Sequence, residues 1–406
     1  MSESPPPRSQ PSPGVALGAT LAIQVYTALA GTAAAVLAPA IAADLGVPAR
    51  WIGAYVGLVY AGAMAASLVC GAWIVRRGAI RVSQACVALC AIGVAFTALA
   101  PPGALPLVAL GAIVLGFGYG PITPASSQIL ARTTPASRMS LVFSIKQTGV
   151  PAGAALAGAA LPAVALALGW RWAFAAVAIA GIAVILAAQP IRRALDTDLR
   201  ADADVAIAAA FAAVGRLMRD SRIAPLVLLS FAYAASQVSL TSFLVVHLTA
   251  VLGWSLVAAG FALSIGTIGG VAGRIAWGAL SDRTRAPRTV LGALGVVAGA
   301  CAVLTAIAAP GWPDLAVYAV VVAFGATAIG WNGVMLAEVA RLAPEGEAAT
   351  TTATAGVVTF SGVVAGPTLF AALSAAAGTT RAGFAAVAVL SGVTGVLMLL
   401  RRAPAR

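Results

Sequence analysis

Apolar residues run along this chain in stretches of about twenty, separated by short polar turns, and each stretch is long enough as a helix to cross a hydrocarbon core roughly 30 Å thick. Twelve such stretches are predicted, at 14–37, 51–75, 82–100, 105–130, 139–165, 171–190, 223–247, 255–280, 289–310, 314–340, 351–376 and 381–400. The pattern predicts an all-α integral membrane protein. Two polar segments interrupt it. Residues 1–13, within "MSESPPPRSQPSPG", are rich in Pro and Ser and lack the basic-then-apolar order of a cleavable signal, so a short disordered cytoplasmic tail is expected. Residues 191–222 carry Arg and Asp in alternation and form a cytoplasmic linker between an N-terminal half, 14–190, and a C-terminal half, 223–402, with an amphipathic helix expected at 204–219.

Composition agrees: 61% of residues are hydrophobic and 9% charged, and the mean hydropathy is +1.00, far outside the range of soluble domains. The net charge of +12 could point to nucleic acid, but the arginines sit in short loops on one side of the spans. With the N-terminus inside, 19 of the 24 basic residues fall in cytoplasmic segments and only Arg50, Arg171 and Arg381 in outer loops. Topology alone explains this distribution, so no nucleic-acid partner is expected. Both termini are expected in the cytoplasm, in a cell membrane of the bacterial inner-membrane kind. Cys70, Cys86, Cys90 and Cys301 lie within spans, without metal-ligand spacing, and read as packing residues. No cofactor or metal is expected. The sole lysine is followed by "QTGVPAG", which is not the lysine of an ATP-binding loop.

The halves echo each other at an offset of about 210 residues, as an internal duplication would. "GAWIVRRGAIR" at 71 matches "GALSDRTRAPR" at 278, "TGVPAG" at 148 matches "SGVVAG" at 361, and Gln24-Val25 matches Gln237-Val238. On these features the chain resembles the major facilitator superfamily, over residues 14–402. The family's loop pattern G-x-x-x-D-R-x-G-R-[RK] keeps Gly71, Arg76 and Gly78 in its first copy but has Val75 in place of Asp. The second copy keeps Gly278, Asp282 and Arg283 and has Arg285 in place of Gly. The resemblance implies that these loops latch helix ends in one access state, with Asp282 the better candidate because Val75 carries no charge. In span 4, "LGFGYGPITPASSQ", Ala112 stands where proton-driven members often carry arginine. The resemblance also implies a secondary transporter, expected as a monomer in the lipid bilayer.

Lys146 and Arg274 are the two basic residues left inside spans. Charge at membrane depth is costly, so both require an explanation. Lys146 lies eight residues beyond Arg138 and Arg274 eight before Asp282, which puts each roughly 12 Å from the cytoplasmic end of its span. Each shares a helix face with glycines: Gly149 and Gly153, and Gly270 and Gly278. Acidic residues are predicted near span ends or in loops, as for Glu338 and Asp44. A pair of buried cations is expected to receive an anion from outside the protein, a carboxylate suiting both arginine's fork and lysine's point charge. Polar residues expected to line the same cavity are Gln24, Tyr26, Thr123, Gln147, Tyr233, Gln237 and Asn332, with Ser236 nearby. Two structural alternatives stand beside this: Lys146 snorkelling to the inner surface, and Arg274 serving helix-end carbonyls. His247 reads as an interfacial residue.

The arginine in "GRIAWGALSDR" looks like that on helix 8 of the oxalate/formate exchanger and the monocarboxylate transporters. Their partner lysine lies elsewhere, and here Thr359 aligns with Lys146 across the repeat. The expected function is movement of a small organic anion by alternating access, as an exchanger or with a coupled proton. Export or uniport of neutral or lipophilic compounds, and a non-transporting receptor, are the alternatives. No nucleophile and base constellation points to an enzyme.

Overall fold

The computed structural model describes residues 12–46, 52–197, 199–200, 207–254 and 256–401; the expected tail at 1–13 lies outside them up to residue 11. Seventeen α-helices are found among these residues, with no strand. In the first half they are α1 (Pro13–Val36), α2 (Ala38–Leu45), α3 (Ile52–Arg77), α4 (Ala79–Ala98), α5 (Leu105–Tyr119), α6 (Ile122–Thr133), α7 (Met139–Gln147), α8 (Gly149–Leu168) and α9 (Trp170–Leu195). The linker holds α10 (Ile207–Arg219), inside the expected 204–219, of which 204–206 lie outside the described residues. The second half has α11 (Ala224–Leu252), α12 (Leu256–Thr284), α13 (Pro287–Ile307), α14 (Asp314–Ala328), α15 (Asn332–Leu342), α16 (Ala348–Ala377) and α17 (Thr380–Leu400).

Among the described residues, twelve spans are long and apolar enough to cross a membrane, as the hydrophobic runs predict. Three of them are interrupted. Span 4 divides into α5 and α6 at Gly120-Pro121, span 5 into α7 and α8 at Thr148, and span 10 into α14 and α15 at Ile329-Gly330-Trp331. Proline lacks an N–H and is tolerated at a helix start, which suits Pro121 as the residue before α6. A broken helix at membrane depth must have its freed carbonyls satisfied by protein. That requirement shapes the site described below.

The duplication is visible in the packing. Gly116 of α5 lies so close to the backbone of Val59 and Ala63 on α3 that a side chain would not fit, and Gly325 of α14 is pressed in the same way against Gly266 of α12. These glycines let helix backbones approach, which is how small residues hold helices together where no hydrophobic effect operates between lipid and side chain. Likewise α4 packs on α9, and α13 on α17. Large apolar side chains such as Leu166, Ile268 and Leu315 are exposed, as expected for a surface that meets acyl chains.

Two compact units emerge, and they exchange short segments relative to the sequence halves. One comprises 1–134, 152–210 and 343–353, so it takes the start of span 11; the other comprises 135–151, 211–342 and 354–406, so it takes the start of span 5. In the first, Cys70, Cys86 and Cys90 are buried among the side chains of α1, α3, α4, α5 and α9; Cys301 is buried in the second.

Candidate functional site

Lys146 and Arg274 both fall in the second unit. Lys146 stands in the last turn of α7 and is 1% exposed, so its ammonium does not reach the protein surface. Its Nζ donates to Gln147 Oε1 at 3.2 Å. Arg274, on α12 and 3% exposed, donates from Nε to Ile329 O at 3.1 Å and from Nη1 to Gln147 O. Gln147 therefore accepts from both cations, through its side chain and its main chain. The two lie at one level, in separate helices, on a single amide residue.

The contacts of Arg274 have a clear local logic. Gln147 closes α7, and Ile329 is the C-cap residue of α14. A helix C-terminus leaves its last carbonyls unsatisfied and carries a partial negative charge, so a guanidinium placed there answers both needs. One turn further along α12, Trp277 donates from Nε1 to Ala326 O at 2.8 Å. Positions three apart share a helix face, and this face of α12 satisfies the broken end of α14 with two side chains. The helix-end role weighed for Arg274 is thus present in the structure.

The other side of the break in span 10 is equally polar. Gln237 Oε1, on α11, accepts from Trp331 Nε1 at 3.2 Å and from Asn332 Nδ2 at 3.1 Å. Asn332 and Gln237 are thereby brought together, joined through the short segment 329–332 to the carbonyl that Arg274 holds. Tyr233 is turned elsewhere: its hydroxyl donates to Leu291 O of α13 at 2.7 Å and its ring meets Trp331 edge-on. Ser236 pairs with Ser391 of α17 at 2.7 Å. His247 sits between Thr380 and the Thr305 carbonyl, at 2.8 and 2.9 Å, and is buried.

In the first unit, Gln24 is buried on α1, and Thr123 of α6 lies 3.5 Å from its Oε1. Tyr26 does not join them. It follows Gln24 by two residues, which is more than half a turn around a helix, and its hydroxyl packs against Gly181 of α9.

Asp282 takes two main-chain amides at the start of α7: Ser140 N at 3.0 Å and Leu141 N at 2.8 Å. Arg341 stands 3.9 Å from the same carboxylate and 2.7 Å from Glu338, which Arg288 also meets at 3.5 Å. Gly278 is the reason α7 can come so near: a side chain there would run into Ser140 and Ser144. Arg283 is exposed. In the first copy of the motif, Gly71 packs against Thr350 in the first turns of α16. Gly78, at φ 96°, leaves room for Asp196, whose carboxylate accepts from Ile80 N and Arg81 N at 2.7 and 3.0 Å. Arg76 is exposed.

Sequence reasoning missed several of these groups. Gln128 of α6 accepts from Ala349 N at 3.0 Å and donates to Gly346 O at 3.1 Å, binding the start of α16. Asp196 holds the start of α4. Gly333 gives Ser144 its place. Gln128 is an amide inside an apolar span and could have been singled out on that ground; nothing local marks Asp196 or Gly333.

Twelve apolar spans, repeated as six and six, with polar side chains converging on broken helices, define a polytopic membrane protein of the transporter class. A profile of the Major Facilitator Superfamily matches residues 20–367, and the chain belongs to that superfamily: it is a transporter of small molecules, not an enzyme. Among solved structures, the E. coli fucose:proton symporter FucP is similar at 17% identity, with 96% of this chain and 98% of that chain covered and a TM-score of 0.76. The human organic anion transporter MFSD10 gives 15% identity, 96% and 100% coverage and a TM-score of 0.75. A bacterial homologue of the iron transporter ferroportin, in an outward-facing state, gives 17%, 95% and 98%, and 0.73. These likenesses establish the fold. No curated protein sequence matches the chain.

Proposed function

We propose that the protein moves a small organic anion, a mono- or dicarboxylate, across a bacterial inner membrane by alternating access, with both termini cytoplasmic and the chain acting as a monomer. The halves 14–190 and 223–402 are the moving parts and 191–222 the tether. One observation carries the reading: two buried cations in a membrane-spanning chain converge on Gln147, beside the polar break of span 10. Burying like charges together is costly, and an anion that met both would offset that cost. The guanidinium's hold on helix-end carbonyls is then its resting arrangement. Substrate binding replaces a carbonyl contact with a paired carboxylate, and the freed ends of α7 and α14 let their helices shift. Gln237 and Asn332 orient the rest of the substrate. Coupling is by anion exchange or by a proton carried with the substrate. MFSD10, an organic anion transporter by its description, is consistent with this class of cargo.

The test is uptake of radiolabelled carboxylates into proteoliposomes by wild type, Lys146→Gln and Arg274→Gln, each checked for folding by thermal unfolding. Loss of uptake in a folded Lys146→Gln protein is expected. Full uptake by that variant overturns the anion reading and favours a neutral or lipophilic cargo; binding without flux in wild type identifies a receptor.

A further inference from the structure

A groove of about 560 Å³ opens between α12, α13 and α14 of the second unit, and neither Lys146 nor Gln147 lines it. Its walls are apolar: Trp277 and Leu280 from α12, Val290, Leu294 and Val297 from α13, with Ala326 of α14 in its floor. Leu280 and Val297 are 40% and 44% exposed, so the groove faces the surroundings of the helices, which in a membrane are acyl chains. Along α13 it runs from Ala286 to Val297, about 16 Å at the helical rise, which is about half the thickness of a hydrocarbon core. It has the length of one leaflet.

Its mouth lies at the arginine-rich end of the spans. Thr284, Ala286 and Thr289 line it there, and Arg283 and Arg285, in the same turn, are exposed. The acids near it are engaged elsewhere: Asp282 accepts from the amides of Ser140 and Leu141, and Glu338 meets Arg288 and Arg341. Arg285 is also the described residue other than glycine that has a left-handed backbone, at φ 55°. Its counterpart in the first repeat is Gly78, at φ 96°. A side chain at such an angle is strained, and glycine would relieve it. Arginine is held at this turn against a local preference, at the edge of an apolar slot one leaflet deep.

We infer that this groove binds an anionic phospholipid of the leaflet facing the arginine-rich loops, its acyl chain along Trp277 and Val297 and its headgroup phosphate on Arg283 and Arg285. Charge complementarity selects the anionic class, because a zwitterionic lipid would bring its own cation to the same two arginines.

The protein is reconstituted in vesicles containing phosphatidylglycerol or phosphatidylcholine with brominated chains, which quench tryptophan fluorescence on contact. The contribution of Trp277 is isolated as the difference between wild type and Trp277→Phe. Quenching of Trp277 is expected to be stronger with phosphatidylglycerol. Removing both charges in Arg283→Gln/Arg285→Gln should lower the relative affinity for that lipid on the order of tenfold. Arg285→Gly, which suits the backbone, should weaken the preference while leaving thermal unfolding in detergent unchanged or improved, so a folding defect cannot imitate the result. Equal quenching by the two lipids, a preference that survives loss of both arginines, or a preference undiminished in Trp277→Phe overturns the inference.

Discussion

Arg274 holds two helix ends with one guanidinium, and this makes its chemistry testable apart from its charge. Lysine would keep the charge but could not present a planar fork to Gln147 O and Ile329 O together. Arg274→Lys is therefore expected to lower stability by roughly 1–3 kcal/mol, the range for a lost charge-assisted bond that leaves a buried carbonyl behind, read as a lower unfolding temperature in detergent. Lys146→Gln, which loses its contact to the Gln147 side-chain oxygen, should shift it less. Equal shifts would mean that the carbonyl contacts contribute little. Gly333 makes the complementary point, because any side chain there meets the backbone of Ser144. Gly333→Ala should cost about 1–3 kcal/mol through overpacking, and an unaltered melting curve would show that α7 has slack. The two cations were legible in the sequence because charge in an apolar run stands out. Gly333 was not, since one glycine among 43 shows its purpose only when the facing backbone is known.

Helix starts are where the elements are tied together. Three of them follow one design: Asp196 takes the amides of Ile80 and Arg81 at α4, Asp282 those of Ser140 and Leu141 at α7, and Gln128 that of Ala349 at α16. A carboxylate at a helix N-terminus gains from both the hydrogen bonds and the dipole, whereas a neutral amide gains mainly from the bonds. Asp282→Ala and Gln128→Ala should each cost about 1 kcal/mol. Of these two variants, raising salt should shrink the difference from wild type only for Asp282→Ala, because the Gln128 cap is neutral; identical salt responses in unfolding curves would sink this distinction. The twelve spans were readable from hydropathy because length and apolarity are properties of the run itself. The breaks at Thr148 and Ile329-Gly330-Trp331 were not, since they depend on Arg274 and Trp277 arriving from another helix to satisfy the carbonyls. Val75 illustrates the same limit. Its missing charge was visible, but the substitute, Gln128 holding α16 with Arg200 N donating to Val75 O at 2.9 Å, comes from residues far further along the chain.

At the scale of the molecule, the compact units do not follow the duplication. The start of span 5 belongs with the second half, and the start of span 11 with the first. On the alternating-access reading proposed above, the segment 135–151 must part from α12 in each cycle or travel with it. Ser140 and Ser281 offer a way to decide, since their hydroxyls are 3.2 Å apart and both side chains are buried. Cysteines at these two positions would lie near disulfide distance, with a small adjustment to reach bonding geometry. The native cysteines are buried and should compete little, and a single-substitution control with Ser140→Cys alone would expose any cross-reaction. If the contact opens during transport, Ser140→Cys/Ser281→Cys protein should lose uptake when oxidised and regain it on reduction, with unfolding temperature raised in the oxidised form. Uptake that persists with the bond formed would mean that span 5 travels with the second half, and that the moving boundary runs through the break at Thr148 rather than through the linker at 191–222.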